Sequence, residues 1–346
     1  MAPEPLTPPK GQPLVGIVTL NPCVDKTLFL DSLPAEGIHT AEKATFLAGG
    51  KGNNVSRVLG RFGVRRKSLE MIAGATGEHI RRLLEEEGLP VEFVEVPGLS
   101  RVITTIVGRD WRQLAVKEVG PQVALRDVER IKERFLAFIE DVDFLCLSGT
   151  ISCETLWDFP AWAIRQAKGR GLPVSFDNEG EAFVRGLVAA PDIVKPNDDE
   201  VRQAWGSVIQ SPGDGVPVIR RMLAQGIAHP IISLGGKGAL AACQGEIWHV
   251  LPPPVRLVNP VGSGDCFMAA LLFAYTTGLE WRECLRWGTA AGAANAARWE
   301  AAGIGLADIR PLLDGVKFHA LEKLSPEPPG ECKTAPRPEL HPNFVS

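Results

Sequence analysis

A lone acid follows a run of small residues in the segment NPVGSGDCFMA, which spans residues 259–269. Gly262, Ser263 and Gly264 lead directly into Asp265, and an apolar run typical of a buried helix follows. The first N–H groups of a helix have no partner within it, and a helix N-terminus carries a partial positive charge, so an anion can bind at such a turn. Asp265 would then be placed to take a proton from a nucleophile that attacks the anion, which is the arrangement that phosphoryl transfer needs. The alternative is that Asp265 is an ordinary helix cap.

A second glycine-rich segment, AGGKGNNVSRVLGRFG at 48–63, also precedes a predicted helix. Apolar residues recur at helical spacing from Val55 onward, which predicts a helix that begins near Asn53. The segment lacks the GxxxxGK[ST] spacing, which excludes a P-loop. Lys51 as a point charge and Asn54 as donor and acceptor could hold an anionic, hydroxyl-rich ligand. A flexible turn with an exposed lysine is the alternative.

Two further segments have chemistry-bearing residues after predicted strands. In KPNDDE, 195–200, Asn197 and Glu200 stand three residues apart, and oxygen ligands at that spacing suit Mg²⁺ held largely through water. In SLGGKGAL, 233–240, a strand runs into glycines that would let a nucleotide approach the backbone. The alternatives are a solvated acidic loop and a tight hairpin.

Composition limits the class of protein. The formal net charge is −4 and the pI about 6.0, which argues against a nucleic-acid or membrane-surface partner. The seven cysteines are odd in number and never spaced CxxC, which favours a reducing, cytoplasmic setting over a disulfide framework or zinc site. No signal peptide and no apolar run of about 18 residues is found, so we expect no membrane span.

Apolar, β-rich runs alternate with helical patterns along the chain. The predicted strands are LVGIVTL (14–20), FLCLSG (144–149), PVSFDN (173–178), DIVKPN (192–197) and PIISLGG (230–236). The predicted helices lie near 126–140, 155–169, 179–189 and 215–226. This order predicts an α/β fold with a doubly wound, mostly parallel sheet covered by helices on both faces. Ligands bind beyond the carboxyl ends of the strands in such sheets.

Domain boundaries follow from composition. The Pro-rich tails 1–13 and 325–346 are predicted to be disordered, which leaves one domain at 14–324. Residues 23–48 and 101–117 show period-2 patterning outside the strand–helix alternation. They predict a small second β-sheet; the alternative is an antiparallel edge of the main sheet.

Together these segments resemble the PfkB-type, ribokinase-like sugar kinases, from about Val15 to about Ile309. AGGKGNNVSRVLGRFG resembles the first signature of that family and NPVGSGDCFMAALL the second. TLNPCVD, VKPNDDE and GIAHPIISLGGKGAL resemble the sugar-phosphate branch, which contains 1-phosphofructokinase, tagatose-6-phosphate kinase and the minor 6-phosphofructokinase.

The resemblance implies a role for each candidate residue. Asp265 would be the general base, and the amides of Gly262, Ser263 and Gly264 the anion hole for the γ-phosphoryl group. It assigns the sugar phosphate to Asp25, Gly50, Lys51, Asn54 and Arg101. It assigns ATP to Lys195, Ser233, Gly235, Gly238 and, near the adenine, Asn295. Asn197 and Glu200 would organise Mg²⁺, and the second β-sheet would be a lid that closes over the sugar and pairs with the lid of a second copy in a homodimer.

Two departures from the branch bear on the substrate: SGTISCE at 148–154, and FDNEGEAF at 176–183 with its additional acid Glu179. A third, GSGD for the commoner GAGD, is expected to be harmless. The cations Lys51 and Arg101 favour a phosphorylated sugar, and fructose-1-phosphate, tagatose-6-phosphate and fructose-6-phosphate all stay open. The alternatives are a kinase for an unphosphorylated sugar or nucleoside, and a catalytically silent binding regulator, which would not need the base.

Overall fold

The structure, a computed structural model, describes residues 13–33 and 36–324 of the 346-residue chain. Both predicted disordered tails lie outside these ranges, apart from Pro13. The strands are β1 (Val15–Thr19), β2 (Cys23–Leu30), β3 (Lys43–Gly49), β4 (Arg66–Ala73), β5 (Val91–Val96), β6 (Arg101–Gly108), β7 (Gln113–Lys117), β8 (Phe144–Ser148), β9 (Val174–Asp177), β10 (Ile193–Val194), β11 (His229–Ser233), β12 (Ala239–Cys243), β13 (Glu246–Leu251) and β14 (Lys317–Lys323). The α-helices are α1 (Lys51–Arg61), α2 (Gly74–Glu86), α3 (Leu125–Phe138), α4 (Phe159–Gly169), α5 (Gly180–Leu187), α6 (Asp198–Trp205), α7 (Val216–Ala224), α8 (Ser263–Thr276), α9 (Trp281–Ala296) and α10 (Leu306–Ile309).

The main sheet has ten strands in the order β14-β13-β12-β11-β10-β9-β8-β1-β4-β5. The run from β11 to β5 is parallel throughout, and β12, β13 and β14 add antiparallel pairs at one edge. The predicted mostly parallel sheet is therefore confirmed. Of its antiparallel extension, the sequence patterns allowed only the tight hairpin at 233–240, which β11 and β12 form.

Both faces of this sheet are covered by helices. Successive residues of a strand point to opposite faces, and on β1 Ile17 packs into one apolar core while Val18 packs into the other. The core on the Val18 side takes Phe135 of α3, and the core on the Ile17 side takes Val55 of α1 and the buried length of α8. Helix α8 is apolar all round because it is enclosed on all sides.

The second sheet has four strands in the order β3-β2-β6-β7. Strand β2 pairs parallel with β6, and the two outer pairs are antiparallel. It is separate from the main sheet, so the predicted second sheet is confirmed and the alternative, an edge of the main sheet, is wrong. Its base packs on α2, where Val24 and Ala48 meet Ile80 and Leu84.

Two predicted elements differ in length from the observed ones. The helix expected near Asn53 begins at Lys51. The strand expected over 192–197 is reduced to Ile193–Val194, because Pro196 has no N–H with which to continue a ladder. Among the described residues, the helices are too short or too polar to cross a membrane.

Candidate active site

Polar side chains gather where neighbouring parallel strands end. Thr19 ends β1, Ser148 ends β8 and Asp177 ends β9, while Lys195 directly follows β10 and Ser233 ends β11. The N-termini of α1 and α8 carry the residues that face this edge, as the contacts below show. The site is thus built at the position where a doubly wound sheet binds its ligands.

Asp265 lies in the first turn of α8 with 8% of its surface exposed. Its Oδ2 accepts a hydrogen bond of 2.7 Å from Nδ2 of Asn54, on α1. Burial, reinforced by the charge of Asp177, raises the pKa of Asp265 to about 6, although the Asn54 hydrogen bond opposes the shift. A carboxylate with such a pKa is ionised at neutral pH yet basic enough to take a proton.

The turn before Asp265 depends on Gly262, whose φ of 77° lies in the left-handed region that glycine favours. The amide of Ser263 donates to the carbonyl of Pro260 at 3.1 Å, so it closes the turn. The amide of Gly264 belongs to the first turn of α8, where no intrahelical acceptor exists. A Cβ on Gly264 would lie 3.3 Å from Nζ of Lys195, so the ammonium group of Lys195 lies directly against this turn.

Four charged side chains form a cluster beside the turn. Nζ of Lys51 lies 2.8 Å from Oδ1 of Asp177 and 2.7 Å from Oε1 of Glu200, and Nζ of Lys195 lies 2.9 Å from Oδ2 of Asp177. Burial works against the charge of Asp177, but Lys195 and Lys51 outweigh it and hold its pKa below the ordinary value. Burial and then the charge of Asp177 raise the pKa of Glu200.

Lys51 reaches this cluster because Gly50 takes a φ of 124° immediately before α1, which again only glycine adopts readily. Burial disfavours the ammonium, yet Asp177 and Glu200 more than offset it and raise the pKa of Lys51. Lys51 is therefore a fixed cation that organises two carboxylates, and the alternative of a flexible, exposed lysine does not describe it.

Asn197 and Glu200 cap helix α6 with each other. Oδ1 of Asn197 accepts from the amide of Glu200, and Oε2 of Glu200 accepts from the amide of Asn197, both at 2.8 Å. In the described part of the chain, no group of three His, Cys, Asp or Glu residues is arranged to hold a metal directly. The side-chain oxygens of Asn197 and Glu200 each keep a further lone pair, so both could still accept a hydrogen bond from a water bound to Mg²⁺.

Two of the residues predicted to bind the sugar phosphate, Asp25 and Arg101, lie where strands β2 and β6 of the second sheet begin. Asp25 on β2 and Arg101 on β6 are close enough that Arg101 lowers the pKa of Asp25, although burial dominates and raises it. The thiol of Cys23 donates to Oδ1 of Asp25 at 3.4 Å, and Nη2 of Arg101 donates to the carbonyl of Asn21 at 3.1 Å. Arg101 and Lys51 thus serve different groups: Arg101 stands beside Asp25, and Lys51 is paired in the charged cluster.

Several buried side-chain atoms near the strand ends of the candidate site have no hydrogen-bond partner in the described chain. They are Oγ1 of Thr19, Oδ1 of Asn21, Oδ1 of Asn53, Nε of Arg101 and Oγ of Ser148. Buried polar groups are normally hydrogen-bonded. A concentration of unpaired ones at the strand ends indicates a polar ligand or ordered water at this place.

The predicted nucleotide residues divide into two groups. Ser233 donates through its amide to the carbonyl of Pro196 at 2.9 Å, and Gly235 and Gly238 form the turn between β11 and β12. Asn295 is buried, and all of its amide capacity is used inside the protein. It donates to the carbonyl of Val261 and to Oγ of Ser263, and accepts from the amide of Ala302 and the thiol of Cys266. These bonds make Asn295 a support of the turn before Asp265.

Asp177 belongs to the charged cluster of the candidate site, but sequence reasoning missed it. It stands in FDNEGEAF, where only Glu179 was singled out, yet it is the shared partner of Lys51 and Lys195. An acid at the carboxyl end of a predicted buried strand was the available signal. Arg57 pairs with Glu87 and donates a hydrogen bond to Oδ1 of Asn54. No sequence pattern indicated this ion pair, because Glu87 lies 30 residues away from Arg57.

The chain is similar to known carbohydrate kinases over most of its length. The model of the pfkB family carbohydrate kinases matches residues 13–303. The 1-phosphofructokinase of Bacillus subtilis is 31% identical over 283 residues, which cover 82% of this chain and 92% of that protein. The tagatose-6-phosphate kinase of Staphylococcus epidermidis is 29% identical over 261 residues, covering 75% of this chain and 84% of that protein.

The fold recurs among solved structures. The tetrameric inhibited form of phosphofructokinase-2 from Escherichia coli superimposes with a TM-score of 0.80 at 24% identity, covering 87% of this chain and 98% of the other. At this level of identity the likeness concerns the fold alone, that is, the arrangement of helices and strands.

Proposed function

We propose that this chain, which belongs to the pfkB family of carbohydrate kinases, transfers the γ-phosphoryl group of ATP to a hydroxyl of a ketohexose phosphate and forms the bisphosphate. The observation that carries the proposal is the carboxylate of Asp265 in the first turn of α8, beside the amide of Gly264 and the ammonium of Lys195. A base and an anion-binding turn thus share one position.

The reaction uses these groups in one step. Asp265 takes the proton of the acceptor hydroxyl while the hydroxyl oxygen forms a bond to the γ-phosphorus of ATP. The bond between the γ-phosphorus and the bridging oxygen of the β-phosphate breaks, and ADP leaves. The amide of Gly264 and the Lys195 ammonium stabilise the charge on the transferring group. Asn54 fixes the Asp265 carboxylate, and Arg57 fixes Asn54 through Nη1 at 2.9 Å.

Mg²⁺ bound with ATP would neutralise phosphate charge. Asn197 and Glu200 would contact it through water, since each is already committed to the cap of α6. The surrounding carboxylates Asp177, Glu200 and Asp265 outnumber the cations Lys51 and Lys195, which favours an added cation. Ser233, Gly235 and Gly238 would contact the nucleotide.

A phosphorylated sugar is supported by Arg101, whose Nε has no hydrogen-bond partner among the described residues. Asp25 beside it would accept from a sugar hydroxyl. The relatives named above support the same substrate class, since one is a 1-phosphofructokinase and the other a tagatose-6-phosphate kinase.

The second sheet supports assembly into a homodimer. Side chains alternate across its strands, so one face holds Asp25 and Arg101 and the opposite face holds Ile106, Leu114 and Val116. Leu114 and Val116 are about half exposed. An apolar face turned away from the site would pack on its equivalent in a second copy.

The experiment is ADP release with ATP and Mg²⁺ against a panel of fructose-1-phosphate, tagatose-6-phosphate, fructose-6-phosphate, fructose and ribose. We expect turnover with one or more of the three sugar phosphates and little with the two free sugars. Turnover confined to a free sugar would reject the phosphate contact of Arg101. Binding of ATP without any turnover would instead support the catalytically silent regulator.

A kinase for an unphosphorylated sugar is the second candidate, favoured by one observation. Lys51 is engaged by Asp177 and Glu200, so Arg101 is the one remaining cation of the two that sequence analysis assigned to the sugar phosphate. Arg101→Met separates the candidates: the KM for a phosphorylated sugar should rise about tenfold or more, whereas a free sugar would be insensitive.

A further inference from the structure

Trp111 occupies a position that normally belongs to glycine. It lies in the connection of residues 109–112 between β6 and β7, with a φ of 64°. Its amide donates to the carbonyl of Gly108 at 2.9 Å, and the Gly108 amide donates to the carbonyl of Arg112 at 3.0 Å. A bulky residue in the left-handed region is an outlier that persists when surrounding contacts hold it there.

Trp111 makes an aromatic contact with the main domain. Its ring centroid lies 4.7 Å from that of Trp299, which follows α9 in the main domain. Phe29 on β2 lies 6.1 Å from the same ring. Trp111 and Phe29 both belong to the second sheet, so Trp299 is where the far end of that sheet rests on the main domain.

The backbone of Trp299 is joined to the turn before Asp265. Its carbonyl accepts from Nδ2 of Asn259 at 2.8 Å, and Oδ1 of Asn259 accepts from the amide of Val261 at 3.1 Å. Three residues after Trp299, the amide of Ala302 donates to Oδ1 of Asn295. Asn295 in turn donates to the hydroxyl of Ser263.

We infer that Trp299 is a positioning residue that couples the second sheet to the catalytic turn, an inference that rests on the proposed function. When the sheet lies over the sugar, Trp111 and Phe29 rest on Trp299. The backbone of Trp299 then holds Asn259, and Asn259 holds the turn of residues 259–265 in register with the Asp265 carboxylate. Closure over the acceptor and alignment of the base are one event.

The kinetic test is a double-mutant cycle of Trp111→Ala and Trp299→Ala. Each single variant should lower kcat/KM for the sugar phosphate by about two- to tenfold, the range expected for one aromatic contact. The double variant should lose no more than the worse single variant, because both changes remove the same contact. Additive losses, or no loss, would overturn the coupling. Trp157→Ala is the matched control, since Trp157 contacts Arg185 on α5, away from this path.

Trp111→Gly separates positioning from folding. Glycine relieves the left-handed backbone, so the melting temperature should hold or rise while kcat/KM falls as in Trp111→Ala. A purely structural role would move stability and activity in the same direction.

Hydrogen exchange tests the coupling between the second sheet and the turn of residues 259–265 without requiring turnover. The peptide covering residues 259–265 should exchange faster in Trp111→Gly and Trp299→Ala than in the wild type, and at the wild-type rate in Trp157→Ala. Unchanged exchange in the first two variants overturns the coupling, whereas absent turnover with accelerated exchange rejects only the proposed function.

Discussion

At the scale of single residues, the site depends on the protonation of Asp265. Burial and the nearby charge of Asp177 raise its pKa to about 6, and the hydrogen bond from Asn54 restrains that shift. As the proposed base, Asp265 acts when ionised, so kcat/KM should rise with pH through about 6 and then level off.

Asn54→Ala removes the group that restrains the pKa of Asp265. The acidic limb of the kcat/KM profile should therefore move to higher pH than in the wild type. Rate measurements from pH 5 to 9 at saturating ATP would show the shift. If the acidic limb of the kcat/KM profile does not move, it reports the titration of a group other than Asp265.

Asp265→Asn should stabilise the fold at neutral pH. The folded protein holds the proton of Asp265 more tightly than the unfolded chain, so this carboxyl costs stability as pH rises from its ordinary value of 3.8 to about 6. The asparagine carbonyl can still accept from Asn54. Melting temperatures of the variant should exceed those of the wild type at pH 8 and converge with them near pH 4; equal values at pH 8 would contradict the desolvation argument.

At the scale of elements, a buried ion-pair network joins α1, β9, β10 and α6. Asp177 is the common partner of Lys51 and Lys195. Removing one member of a buried network leaves uncompensated charge.

Asp177→Asn should therefore lower the free energy of unfolding by about 3–5 kcal/mol. Urea denaturation measures this, and Glu322→Gln is the control. Glu322 pairs with Arg220 at the surface, so its loss should cost less than about 1 kcal/mol. Similar costs for the two variants would show that the network is solvated.

Local patterns predicted five of the seven parallel strands, β1 and β8 to β11, and the helices α3, α4, α5 and α7, because strand and helix periods differ and the Gly-rich turns stand at their junctions. The same patterns located Asp265, Asn54 and Lys51. They missed β4, β5, β13, β14 and the partners of Lys51, because strand pairing and a salt bridge over 126 residues of sequence are tertiary events. Strand β12 was covered only by the alternative of a tight hairpin at 233–240. Asn295 was predicted to lie near the adenine; in the structure its side chain donates hydrogen bonds to the turn before Asp265.

At the scale of the whole molecule, the second sheet presents different faces to the site and to solvent. Its solvent face holds the exposed Leu114 and Val116. Burying these side chains would stabilise a dimer. Neither side chain points toward Asp25, so a change there should leave the site intact.

Leu114→Glu should convert a homodimer to a monomer in light scattering coupled to size-exclusion chromatography. Val208→Glu, at an exposed residue outside the sheet, is the control. A wild-type monomer, or a dimer unaffected by Leu114→Glu, would contradict this interface.

The fold places the carboxylate of Asp265 directly after the glycine-rich turn of residues 262–264, where we propose that it acts as the base. The measurement is the single-turnover rate of bisphosphate formation for wild type and Asp265→Asn, with ATP affinity determined in parallel. We predict a loss of about 10²-fold or more in the rate with ATP affinity nearly unchanged. A variant that transfers the phosphoryl group at a rate close to that of the wild type would contradict the role of Asp265 as the base.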